Sequence, residues 1–338
     1  MTDIVNFQGG YDGNRCADDA TLFVEVGDGR RIAYREMGCE HSSATRSLLV
    51  LHGAFSSRLF GMPGISRDVL KDFGVRLIAI DRPGYGASDP HPNQTLQNFT
   101  VDIETLVERL HLGEKIWLLG YSIGSIYCWA ALRYIPHRVA GVALWAPAAN
   151  FEWKIFNDQA LKIIKQGFSW KAMRDLYFQS RRAPFPQFRQ YVEALCRHLL
   201  DKGHKLDAFQ KGLPPSDIKA LEQAKIQEFM CKDRLESIGG LANGFGVAKD
   251  FQLLTAPWGF EADELTCCYR GVVHIWQGDK DTGTSPFLQE VLQKKLPFVR
   301  LHRLNDEGHF SWFYFNSAAH KLTLDTLFGC NQCIRAKI

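Results

Sequence analysis

Short apolar runs alternate with amphipathic stretches of helical period over most of the chain. Residues 21–26 and 31–37 are strand-like and are separated by Gly27-Asp28-Gly29, a turn composition that predicts a hairpin. The polar stretch 40–46 leads into residues 47–51, a buried strand ending at His52-Gly53. Residues 75–80 form the next strand and run into Asp81-Arg-Pro-Gly-Tyr-Gly86. Between 96 and 112, Phe99, Ile103, Leu106, Val107 and Leu110 recur at helical spacing. Residues 115–120, 123–134 and 139–145 then read as strand, helix and strand. Strands without polar alternation, interleaved with helices, predict a parallel sheet covered on both faces.

The rhythm breaks after that strand. Residues 148–255 hold several amphipathic helix candidates and no convincing strand. In one, residues 186–200, Phe188, Tyr191, Val192, Leu195 and Leu199 make a single stripe. Another begins after Pro214-Pro215 with Ser216 as its expected N-cap. Strand and helix alternate again at 271–277, 286–296, 299–304 and 311–327. The expected architecture is one α/β core, residues 21–147 and 256–328, interrupted by a helical cap at 148–255. A lead-in, residues 1–20, and a tail, residues 329–338, flank it.

Composition narrows the class. A content of 46% hydrophobic and 23% charged residues is that of a globular chain. A net charge of +3 with scattered Lys and Arg gives no reason to expect nucleic acid. No apolar run is long enough for a membrane span, and no secretory signal pattern stands at Met1-Thr-Asp-Ile. The nine cysteines have no framework spacing, and Cys128 and Cys196 lie in apolar stretches as small hydrophobes. Cys330-x-x-Cys333 lacks a second ligand pair and reads as two reduced thiols. These features favour a reducing, cytoplasmic setting. The final Ala336-Lys337-Ile338 only loosely resembles a peroxisomal address.

The candidate chemistry centres on Gly120-Tyr121-Ser122-Ile123-Gly124, set between an apolar strand and a helix. Such a strand-to-helix turn lifts a serine hydroxyl above the carboxyl edge of the sheet. A serine needs a base to take its proton. His309, preceded by Gly308, follows the last strand and can fold back over that edge. His302 falls in a strand, His320 in a helix, and His198 and His204 in the cap. An acid must hold the imidazole. Gln277-Gly278-Asp279-Lys280-Asp281 offers two: Asp281, further into the loop, is favoured, with Asp279 supporting the turn or facing solvent. The amides of Ile123 and Ala54 are the expected oxyanion donors, and Ser56 and Ser57 are expected to be structural. No cofactor or metal is called for, and the expected partner is a small-molecule substrate.

In this order, His52-Gly53, Asp81-Arg-Pro-Gly-Tyr-Gly-Ala-Ser88, Gly120–Gly124, Gly278–Asp281 and Gly308-His309 resemble the α/β-hydrolase superfamily. The resemblance is to the serine-nucleophile branch with a short His-Gly-x loop. Trp258-Gly-Phe260 is similar to plant and bacterial members with helical caps. It implies an esterase-like serine hydrolase acting on a small to medium, mainly apolar molecule. Ser122 stands where epoxide hydrolases and haloalkane dehalogenases carry Asp. Phe310 stands where hydroxynitrile lyases of this fold carry Lys. The Gly-Gly-Gly loop of carboxylesterase-like relatives is missing, because Ala54-Phe55 follows His-Gly. Prolyl aminopeptidases share the following Ser125, but no equivalents of their amine-binding acids are evident in the cap. A hormone-like receptor with slow turnover stays open, as does a lyase, cyclase or acyltransferase using the same three residues.

Overall fold

The computed structural model describes residues 20–201, 210–239 and 243–329. Most of the lead-in and tail, Cys330, Cys333, His204 and the terminal tripeptide lie outside the described residues. An eight-stranded sheet runs in the order β1-β2-β4-β3-β5-β6-β7-β8. Its strands are β1 (Leu22–Glu25), β2 (Arg31–Gly38), β3 (Arg46–Leu51), β4 (Val75–Ile80), β5 (Ile116–Tyr121), β6 (Val139–Trp145), β7 (Val273–Gly278) and β8 (Val299–Leu304). The β1–β2 hairpin is antiparallel, β2 also pairs antiparallel with β4, and every other pairing is parallel. The central strands β3, β4, β5 and β6 are buried almost throughout, as their unbroken apolar runs require.

Helices α1 (Arg67–Asp72), α2 (Leu96–Arg109) and α3 (Ser125–Tyr134) connect the first strands. Sequence periodicity carries α2 to residue 112, but the helix stops at Arg109. His111 and Gly113 take positive φ there, of 51° and 92°. The helix α3 is buried from Ser125 through Leu132, which explains its lack of a polar face.

Between β6 and β7 the chain forms α4 (Asp158–Gly167), α5 (Lys171–Arg182), α6 (Phe185–Asp201), α7 (Pro215–Leu221), α8 (Ala224–Ile238), α9 (Phe245–Thr255) and the short α10 (Leu265–Cys268). On α6 the buried stripe is Phe188, Val192 and Cys196, whereas Tyr191 is exposed. Ser216 is not the cap of α7. Pro214 holds that position, and Pro215 supplies the fixed φ of the first turn.

Two helices complete the sheet: α11 (Pro286–Lys295) and α12 (Ser317–Phe328). The last helix starts at Ser317 rather than 311. Phe315 is left-handed at φ 54°, and Asn316 caps the helix by accepting from the Ala319 amide. No helix among the described residues is long and apolar enough to cross a membrane.

Candidate active site

Strand β5 delivers Tyr121 and then turns sharply. Ser122 has φ 52°, in the left-handed region that costs a non-glycine residue roughly 1–3 kcal/mol. The turn tolerates no bulk on either side. A Cβ at Gly124 would collide with the carbonyl oxygens of Leu51 and His52. One at Gly120 would come within 2.7 Å of Cys128 Sγ and 2.8 Å of Ser125 Cα. The strained residue is held because its carbonyl accepts from the Ala148 amide at 3.2 Å and from Ser125 Oγ at 2.6 Å. Ile123 follows in the short turn leading into α3, so its amide belongs to the positive end of that helix.

His309 and Asp281 come from the loops after β8 and β7 and meet Ser122. Ser122 Oγ lies 3.1 Å from His309 Nε2, and His309 Nδ1 lies 2.9 Å from Asp281 Oδ2. A carboxylate can only accept from Nδ1–H, so Nε2 is left to accept the serine proton. Asp281 is locked in place: Oδ1 accepts from the Gly283 and Thr284 amides, and Oδ2 from Gln277 Nε2 and Thr284 Oγ1. Asp279 points elsewhere, accepting from the Asp306 amide at 2.8 Å.

Burial of His309 works against its charged form. The Asp281 carboxylate, the hydrogen bond to it and the charge of Asp217 outweigh burial, and the imidazole is held above its ordinary value. Burial likewise opposes the Asp281 charge, but His309 and the donors around it keep that carboxyl below its usual range. Two of the other histidines are engaged elsewhere. His302 pairs with His274 at 3.0 Å, and His320 bonds the Phe313 carbonyl.

Ala54 sits opposite, in the loop after β3. Ideal Cβ placement on Gly53 falls 3.4 Å from Ser122 Cβ, so this loop lies directly on the serine turn. Ala54, Ser122, His309, Trp170, Asp233 and Arg234 line one narrow cavity of about 40 Å³.

Over residues 46–315 the sequence matches the family described as alpha/beta hydrolase fold. The chain belongs to this family. Its curated relatives include a putative non-heme chloroperoxidase of Synechocystis, 31% identical over 36% of this chain and 41% of the relative. A putative chloroplastic methylesterase of Arabidopsis thaliana is 21% identical over 76% of this chain and 58% of that protein. The chain thus spans about half the length of these two relatives. Among solved structures, a hydrolase from Pseudomonas aeruginosa superposes with a TM-score of 0.64 at 17% identity, covering 92% of this chain and 99% of that one.

In this alpha/beta hydrolase the helical insertion supplies polar groups that sequence reading missed. Asp217, on α7, is fully buried. Its Oδ2 accepts from the His309 amide at 2.7 Å, and its Oδ1 from the Phe310 and Ser311 amides at 2.8 and 3.0 Å. Gly308 is glycine for the same reason, since a Cβ there would strike this carboxylate. Tyr121 adds a second tether, its hydroxyl donating to the His309 carbonyl at 3.0 Å.

Asp233, on α8, accepts from Ser56 Oγ at 2.5 Å and from the amide and hydroxyl of Ser57 at 2.9 and 2.6 Å. Burial pushes its carboxyl up to about 6 against these bonds. Ser56 and Ser57 thus tie the Ala54 loop to the insertion, a structural role. Asp250, on α9, pairs with the buried Arg82 and accepts from Tyr85 and Tyr127 hydroxyls at 2.6 and 2.5 Å. Arg82 in turn donates to the His52 carbonyl. A signal did exist for Asp250: a lone Lys-Asp pair within the apolar run of α9.

Asp217 supports a specific expectation. Replacing it with Asn keeps the shape but removes the charge that favours imidazolium. One carboxylate oxygen also becomes an NH₂ facing backbone N–H donors. Any activity that needs neutral His309 rises with pH through that residue's pKa. In Asp217→Asn this rise should shift to lower pH, and kcat should fall roughly tenfold as the loop loosens. A pH–rate profile checks both; an unshifted profile at full rate would refute the role.

Proposed function

We propose that the protein is a serine hydrolase that cleaves an ester or related acyl bond of a small to medium, mainly apolar molecule. The single observation carrying this reading is the relay of Ser122 Oγ, His309 and Asp281, with contacts of 3.1 and 2.9 Å on a strained serine turn. Ser122 attacks the acyl carbon as its proton passes to His309 Nε2. The Ile123 and Ala54 amides receive the developing oxyanion. His309 then gives the proton to the departing oxygen, leaving an acyl-Ser122. Water, deprotonated by His309, attacks that carbonyl, releases the acid and restores the serine. Asp281 holds the imidazole tautomer throughout and balances its transient charge.

Residues 148–255 act in this reading as a cap over the core formed by 21–147 and 256–328. They bring Trp170, Asp233 and Arg234 to the cavity of Ser122. The methylesterase named among the relatives is in keeping with ester chemistry. The test is labelling with a fluorophosphonate, followed by peptide mapping. Stoichiometric modification of Ser122 is expected, and an intact protein that takes up no label overturns the reading.

A further inference from the structure

We propose that Trp170 is a partition between the Ser122 cavity and an apolar chamber behind it, and that this chamber receives the hydrocarbon arm of the substrate. The inference rests on the serine-hydrolase reading of Ser122 and names the substrate class of that site: esters with an extended apolar arm.

The chamber lies between the insertion and the core and also measures about 40 Å³. Its walls include Phe151, Ile164, Phe168, Tyr177, Leu254 and Leu288, which offer hydrocarbon and little else. Its remaining wall is built from the neighbours of the site. Ala148 lines it and donates its amide to the Ser122 carbonyl. Gly283 lines it too, and an ideal Cβ on Gly283 falls 3.2 Å from His309 Nδ1 and 2.9 Å from the Trp170 ring. Trp170 packs against this wall at Gly283 from the Ser122 side. It lines the Ser122 cavity, its ring centroid lies 5.7 Å from His309, and its amide donates to the Thr282 carbonyl at 3.1 Å.

Room decides the point. Pockets that hold organic ligands measure about 300–1,000 Å³, and neither cavity reaches that range. Displacing one indole would join them and lead from Ser122 into hydrocarbon. The serine cavity mixes Phe55, Met173, Met230 and Phe310 with Asp233 and Arg234, whereas the chamber offers almost only hydrocarbon and is the better match for an apolar arm. Each methylene moved from water into the chamber should strengthen binding about fourfold.

The test compares Trp170→Ala with wild type on two ester series, p-nitrophenyl acetate to octanoate and ethyl to octyl acetate. The ratio of kcat/KM for the eight-carbon to the two-carbon member should rise at least tenfold in one series. Adding Ile164→Trp should return the ratio towards wild type by refilling the chamber. Trp170→Leu, a milder change, should move it in the same direction. Ratios within twofold of wild type in both series overturn the proposal. A readout free of chemistry is octanoate binding to Ser122→Ala protein by calorimetry. Adding Trp170→Ala should tighten it tenfold or more, and unchanged affinity overturns the chamber. If wild type hydrolyses no ester yet octanoate shows this tightening, the hydrolase reading fails and the chamber stands.

Discussion

Replacing Ser122 with Ala is expected to lower turnover of short p-nitrophenyl esters by about 10⁴-fold or more, because proteins of this chemistry lose nearly all acceleration with their nucleophile. The change is small in volume. Alanine has the same β-carbon, and the clasp on residue 122 runs through its carbonyl to the Ala148 amide and Ser125 Oγ. Unfolding temperature should therefore stay near that of wild type while activity vanishes. Residual rate should reflect the proposed Ile123 and Ala54 donors alone. A Ser122→Ala protein that keeps near-full activity after purification away from host esterases would remove the serine from the mechanism.

Replacing Asp281 with Asn is expected to cost about 10³–10⁴-fold, and Asp279→Asn only a few-fold. The geometry behind the difference is specific. Asp281 Oδ2 is the partner of His309 Nδ1 at 2.9 Å, whereas Asp279 braces the Asp306 amide. An asparagine at 281 can present its NH₂ to the ring, which stabilises the tautomer with the proton on Nε2, facing the serine. The pH profile gives an independent reading. In the proposed mechanism activity grows as His309 loses its proton, and the Asp281 charge holds that proton to higher pH. Without it the rising limb should move to lower pH while the plateau collapses. Equal losses for the two aspartates would undo the assignment.

The parts legible in the sequence were those whose signal is local. Gly120–Gly124 is readable because steric demands at one turn restrict residues two positions apart. His309 and Asp281 are readable because strand ends mark where side chains can reach the sheet rim. The choice of Asp281 over Asp279 rested on loop position, and Asp281 is the carboxylate that meets His309 Nδ1. Asp217 and Asp233 carried no such mark. Each contacts a segment some 90 or 180 positions away, and in sequence each resembles the solvated face of an amphipathic helix. Helix ends were missed where one residue overrode periodicity, as His111 does after α2 and Phe315 before α12.

The three buried aspartates Asp217, Asp233 and Asp250 stand on three successive helices, and each grips the sheet-bearing half of the molecule. Asp250 does so through a buried pair with Arg82, and breaking such a pair costs about 3–5 kcal/mol, while Asp217 and Asp233 grip neutral amide and hydroxyl donors. These anchors are expected to hold α7 to α9 to the core more firmly than the stretch from α4 to α6. Deuterium uptake should register that asymmetry as slow amides on α7 to α9 and quicker ones on α4 and α5.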